Sequence, residues 1–319
     1  MTGWLLLAAR RLALAGLTVW FVSIVVFVAL NVLPADPARA ALGPQATPDM
    51  LAAYRQLMRL DLPPLERYLN WLVGVLQGDF GVSVVSRAPI GPELGQRVVY
   101  TAILGIASLV LSVVVALPLA LLAARHGGRP VDVAISSLAI AISAIPEFVL
   151  AIGFVLIFVS GLRVLPVSSA GIANWDLAAL VLSTLTLTLA AAAYVFRHAR
   201  VSVFETLSAP YVRTAVLCGY SPNRILWLHV MPNAAVAVVN VVALNAISLL
   251  SGVIVVENVF GYPGLGQLLV QAINGNDHPK VLAAAVVTAF VLVTINLVAD
   301  AVVVLLDPRV RTRLARAAR

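Results

Sequence analysis

The stretch VLAAAVVTAFVLVTINLVADAVVVLL, residues 281–306, decides what kind of molecule this is. Asp300 is its one charged side chain, and its 26 residues exceed the roughly 20 apolar residues that cross a hydrocarbon core. Five more runs of the same kind lie upstream: Leu12 to Leu33, Tyr100 to Ala124, Val131 to Ser160, Leu177 to Phe196 and Ala234 to Val256. In lipid every backbone amide must be satisfied within the segment or in a closed barrel, and no run alternates apolar and polar residues as a barrel strand does. The fold class is therefore an all-α membrane protein with about six transmembrane helices. Composition agrees, with 61% hydrophobic and 11% charged residues and a mean hydropathy of +1.02, against about 25% charged residues in soluble domains. In the third and longest run, Pro146 removes a backbone donor, which predicts a kink.

The net charge of +7 does not mark a nucleic-acid binder, because the basic residues are almost all Arg at the ends of apolar runs and form no patch interleaved with aromatics. That pattern orients membrane helices. Placing the N-terminus in the cytoplasm puts 13 of the 21 basic residues on that side, and six of the other eight fall between the first two runs, in a segment long enough to cross regardless of charge. Both termini are expected inside. Arg10 and Arg11 followed by an apolar run and Ala38-Arg39-Ala40 resemble a signal peptide, but the run of 22 residues exceeds the usual 7 to 15, so it is read as a retained helix. Cys218 is the single cysteine, so no internal disulfide or cysteine metal site forms, and no metal-binding cluster follows from the spacing of the four histidines.

The chain is read as one transmembrane domain over 1–319, with an external insertion at 34–99 and a cytoplasmic segment at 197–233. In the insertion, Pro48 to Leu60 and Leu65 to Leu76 repeat apolar residues at three and four, which predicts two short helices. They either cap the bundle or dock an external partner. Glu147, Asn245, Asn296 and Asp300 fall within predicted spans, where a charge costs at least about 2.5 kcal/mol. Glu147, Asn245 and Asn296 are candidate pathway residues. Glu147 follows the kink proline and either contacts a solute amine or is a carboxylate protonated or paired within the bundle. Asp300, seven residues before Asp307 on nearly the same helix face, is expected to make a structural hydrogen bond.

The segment from Arg197 to Asn233 contains its own helix punctuation. Ser208 is suited to cap a helix, Pro210 to open it, and Gly219 to end it in the left-handed conformation. Ser221 and Pro222 repeat the start signal, and Pro232 introduces the fifth run. Two short helices with a bend at Gly219 follow. An amphipathic helix lying on anionic lipid through Arg213 and Arg224 is the plain alternative, but it requires neither the glycine break nor the paired start signals.

These residues resemble a known motif. Importer permeases of the ATP-binding cassette class carry Glu-Ala-Ala, three residues, Gly, nine residues, then Ile-x-Leu-Pro, a loop whose coupling helix seats in a groove of the ATPase. Here Arg213-Thr214-Ala215 fills the triplet, Gly219 follows after three residues, and His229-Val230-Met231-Pro232 comes nine residues later. Gly and Pro keep their spacing, while Arg, Thr, His and Met replace Glu, Ala, Ile and Leu. Such a triplet is similar to the dipeptide, oligopeptide and nickel branch. Gly78-Asp79-Phe80-Gly81-Val82-Ser83 with Pro89, Glu257 to Gly266, and Asp307-Pro308-Arg309 resemble further signatures of that branch, in order along the chain.

The resemblance implies that Pro210, Arg213, Thr214, Ala215, Gly219, Pro222, Arg224, His229 and Pro232 couple the chain to an ATPase. It implies a bacterial inner-membrane location and as partners a second homologous permease, two cytoplasmic ATPases, an external solute-binding protein and membrane lipid. The solute would be a dipeptide, longer peptide, nickel, glutathione or haem. The chain itself is expected to hold no cofactor, with ATP and Mg²⁺ bound by partner subunits, since no Gly-x-x-x-x-Gly-Lys-Ser/Thr loop is present. Neither Gly-x-Ser-x-Gly nor His-Glu-x-x-His occurs, against a membrane hydrolase, and no internal repeat supports a self-contained secondary transporter.

Overall fold

The computed structural model describes residues 2–32, 38–39, 43, 45–57, 61–164 and 177–306. The helices among them are α1 (Thr2–Val32), α2 (Pro48–Leu57), α3 (Pro64–Leu76), α4 (Ile90–Arg125), α5 (Pro130–Ser143), α6 (Glu147–Phe154, continued by a π-helical stretch Val155–Gly161), α7 (Leu177–Leu207), α8 (Pro210–Leu217), α9 (Pro222–Ile225, continued by a π-helical stretch Leu226–Val230), α10 (Met231–Val259), α11 (Leu265–Asn274) and α12 (His278–Leu306). One isolated bridge, Val82 to Pro89, is the β pairing among the described residues. Five helical stretches are long and apolar enough to cross a membrane, and the pair α5 and α6 makes a sixth if taken as one span.

The helices overrun the apolar runs. α4 starts at Ile90 rather than Tyr100, and α7 continues to Leu207 beyond Phe196. Hydropathy marks only the part suited to lipid, whereas Glu, Gln, Arg and Leu in the flanking turns are good helix formers and prolong the element. Both short helices of the 34–99 segment are present as α2 and α3; residues 58–60 lie outside the described residues, as do Leu33 and the Asp307-Pro308-Arg309 signature. The third run differs from expectation. It is broken, not kinked: α5 ends at Ser143, Ala144 to Pro146 are non-helical, and α6 departs at 100°. Pro146 takes φ −58° and ψ 145°, so the proline acts as the residue before a new helix rather than as a bend inside one.

The structure divides into two compact units. The first comprises Met1–Arg10, Ala102–Tyr262 and Ile295–Arg319. Its core is built from small residues of four helices: Ala116, Ala120 and Ala123 of α4, Ala139 of α5, Ala192, Ala193 and Ala199 of α7, and Val238 of α10, closed by Val195 and Phe196. Alanines let helix backbones approach closely where no hydrophobic force drives them together in lipid. Gly127 serves the same end in the turn after α4, since a Cβ there would lie 2.8 Å from the Phe204 ring. A second cluster, Ala124, Val203, Val212, Ala215, Ile225, Leu226, Val230 and Ala234, seats α8 and α9 against α4, α7 and α10.

The second unit comprises Arg11–Thr101 and Pro263–Thr294. Its core is Ile90, Leu94, Leu265, Leu268, Ala283 and Ala284. The Gly78 to Pro89 signature is a tight turn in which Gly78 and Gly81 have φ of +85° and +83°, and Asp79 accepts from the Gly81 amide at 2.9 Å. Ser83 donates to the buried carboxylate of Asp277, which also accepts from the Val84 amide at 3.3 Å. Glu93 pairs with Lys280 at 3.0 Å and with Arg97 at 3.4 Å. Nearby Tyr54 is buried with Ala38 and Leu51, and burial pushes its pKa up to about 12, with Asp277 adding to the rise.

Candidate functional site

Two places in the first unit hold the candidate residues other than Asn296. The first is the pair of short helices α8 and α9. Pro210 and Pro222 each stand in the first turn of their helix, where the missing N–H costs nothing. Gly219 has φ +79°, and the amides of Gly219 and Tyr220 donate to the carbonyls of Val216 and Ala215 at 3.0 and 3.2 Å. This is a helix end closed by two reversed hydrogen bonds, which only a residue at ease in the left-handed region makes without strain. Ser208 does not cap α8. Its hydroxyl donates to Phe204 O at 3.0 Å because α7 runs on to Leu207 and claims it, so Ala209 occupies the cap position. Ser221 stands at the cap position of α9 but makes no side-chain cap bond.

The triplet divides by face. Ala215 is buried beside Val212, while Arg213 and Thr214 are exposed, Thr214 donating to Pro210 O at 3.2 Å. Leu217 at the tip is 83% exposed, with Val216 and Tyr211 also exposed. Arg224 lies 4.6 Å over the Tyr220 ring, whose other contact is His229, stacked at 5.8 Å and 9°. Tyr220 thus links two candidate residues across the turn, which spacing alone did not reveal. Pro232 stands in the first turn of α10, which follows α9 without a loop.

The second place is a cavity of about 130 Å³ within the first unit. The break before α6 brings Glu147 to it, α10 contributes Asn245 and Ser248, and α7 contributes Tyr194. Asn245 is 5% exposed, and its Nδ2 has no hydrogen-bond partner among the described residues. Glu147 and Asn245, 98 positions apart in sequence, are therefore brought to one site. Asn296 does not line it. Ser143, the last residue of α5, Tyr194 and Gly252 are lining residues that the sequence reading missed; Ser143, three positions ahead of Pro146, was the one local signal.

A third feature was also missed. Asp132 is 1% exposed, and both its oxygens accept from Arg200, with the Gly128 amide at 2.9 Å and the Ser136 hydroxyl at 3.3 Å completing its shell. In the sequence Arg200 reads only as an orienting charge, and nothing singles out Asp132 within the third apolar run.

A helical membrane protein with a bent span and a surface built from two proline-started helices fits the class of multi-pass transport permeases. The comparisons place it within that class. Residues 116–312 match the family described as binding-protein-dependent transport system inner membrane component, and residues 4–114 match the N-terminal part of such membrane components. The chain is 36% identical over 309 residues to a probable peptide ABC transporter permease protein of Sinorhizobium fredii, covering 95% of this chain and 98% of that protein. It is 35% identical over 294 residues to glutathione transport system permease proteins of Shigella boydii and Escherichia coli, covering 92% of this chain and 95% of theirs. The chain belongs to the family of binding-protein-dependent transport system inner membrane components. It is the permease component of an ATP-binding cassette transporter, a multi-pass inner-membrane protein and not itself an enzyme, and it works with an ATPase.

Proposed function

We propose that this permease forms half of a translocation pathway for peptides or similar small solutes, as the half partner of a second, homologous permease, with two cytoplasmic ATPases and an external solute-binding protein completing the importer. The similarity to peptide and glutathione permeases supports a solute of that kind. ATP and Mg²⁺ bind the ATPases, and no cofactor is held by this chain. The segment 197–233 faces the cytoplasm, as do both termini, and the 34–99 insertion lies outside.

The observation that carries the coupling role is the end of α8. Gly219 at φ +79° stops the helix so that exposed Val216 and Leu217 form a projecting tip, while Val212 and Ala215 hold the inner face to the bundle. An inner face packed on several helices and an apolar tip in water suit a part that receives force from another protein. In this reading Arg224 and His229 act through Tyr220, fixing the turn behind the tip.

Gly219→Val tests it. A β-branched residue at this φ is strained by about 1 to 3 kcal/mol, so α8 should run on and misaim the tip. Reconstituted importer carrying the variant should hydrolyse ATP but move solute at a small fraction of the normal rate per ATP, with Ala235→Val in α10 as a control for general damage. Wild-type solute moved per ATP would remove the coupling role from this segment.

A further inference from the structure

We propose that the cavity beside the break is a solute-recognition subsite for an ammonium group next to a carbonyl, so that this permease tests the charge of its cargo itself. The proposal rests on the pathway reading above and gives the ligand chemistry of that site. Three separate observations support it. The 100° break places Glu147 at the first position of α6, in the cavity wall. Gly252 of α10 faces it, and a Cβ there would lie 3.4 Å from Glu147 Cγ and 3.3 Å from Leu187 Cδ2, so the glycine leaves the room in which the glutamate side chain lies. Asn245, 5% exposed, holds an amide donor with no partner in the same wall. An unmade hydrogen bond from a buried amide is costly and is retained where something else completes it.

The lining selects among ligands. Among the described residues no Lys, Arg or His lines the cavity, so an anionic group would meet Glu147 without compensation. A hard divalent cation takes six or more oxygen ligands, usually several of them carboxylate, and nickel prefers imidazole or thiolate; one carboxylate, one amide and hydroxyls supply neither set. An ammonium group donates to a carboxylate and tolerates neighbouring hydroxyl acceptors, which Ser143, Tyr194 and Ser248 provide. The free Asn245 Nδ2 then finds its acceptor in a carbonyl one or two bonds away. About 130 Å³ suits such an end group rather than a whole peptide.

The test is saturation-transfer NMR on the full chain in lipid nanodiscs, with alanyl-alanine amide and its N-acetyl derivative as probes. The free amine should bind about tenfold or more tightly than the acetylated form, as expected for a lost hydrogen bond to a charged group. Glu147→Gln should bring the ratio of the two close to one, and Asn245→Leu should weaken both while preserving the ratio. Because each variant is judged by a ratio between two probes, partial loss of folded protein does not imitate the result. Equal binding of the probes, no binding of either, or a ratio that survives Glu147→Gln overturns the subsite. Solute uptake by the assembled importer separates this from the pathway reading. Normal uptake with an unchanged ratio leaves the permease standing and the subsite refuted, whereas the expected ratio in a complex that moves no solute refutes the pathway reading alone.

Discussion

Two polar sites sit in the same helical unit and are finished differently. Asp132 is buried with both oxygens occupied by Arg200, Gly128 and Ser136. Asn245 is also buried, yet its amide donor is unused by any described residue, and the cavity it shares with the Glu147 carboxylate has no basic residue among the described ones. Burial costs both sites desolvation. At Asp132 the protein recovers the cost internally and fixes the turn after α4 to α7. At Asn245 it does not, which distinguishes a polar group that holds structure from one kept for an interaction made elsewhere.

The largest expected effect breaks the completed site. Asp132→Leu should lower the stability of the purified chain by about 3 kcal/mol, the lower end for removing one partner of a buried pair because Arg200 is 28% exposed. Adding Arg200→Leu should recover much of the loss, and thermal unfolding in detergent reads both. A single and double variant of equal stability would show that the pair is not a unit. Next in size, Asn245→Leu should leave unfolding unchanged or stabilise the chain by about 1 kcal/mol, since it removes a buried donor that has no partner. A loss comparable to that of Asp132→Leu would put the two sites in one category and remove the contrast. A third test extends the comparison to a buried phenol in the second unit. Folding raises the Tyr54 pKa from 10 to about 12 and so favours the neutral form. Its stabilising contribution is complete below pH 10 and is lost as pH climbs towards 12, so a circular-dichroism titration should show a decline in that window that Tyr54→Phe lacks.

What could be read in the sequence depended on how local its cause was. Runs of Val, Leu and Ala announce membrane helices whatever surrounds them, and the left-handed Gly219 followed from its place three residues before Pro222. The outcome at Pro146 was half legible. A proline forbids a regular helix, but whether the chain kinks or turns through 100° depends on what packs against Ser143 and Glu147, and those helices lie 40 to 109 positions on, from Leu187 to Gly252. The same distance hid the Asp132 and Arg200 pair, 68 positions apart. Ser208 misled because a serine before a proline suits a cap in isolation, while the preceding helix had a competing use for its hydroxyl.

From Pro222 to Val259 the backbone is one uninterrupted helical rod of 38 residues. At about 1.5 Å per residue, Arg224 at one end stands about 32 Å along the rod from Asn245. There is no loop between them, so in the coupling reading a displacement of the short-helix end is carried along the helix towards Asn245 and Gly252, with Pro232 and the π-helical turn as the points where it bends. The π-helical turn at Leu226–Val230 is the one stretch of different pitch along its length. In that reading backbone continuity, rather than any chain of polar contacts, ties the short-helix tip to the wall of the cavity.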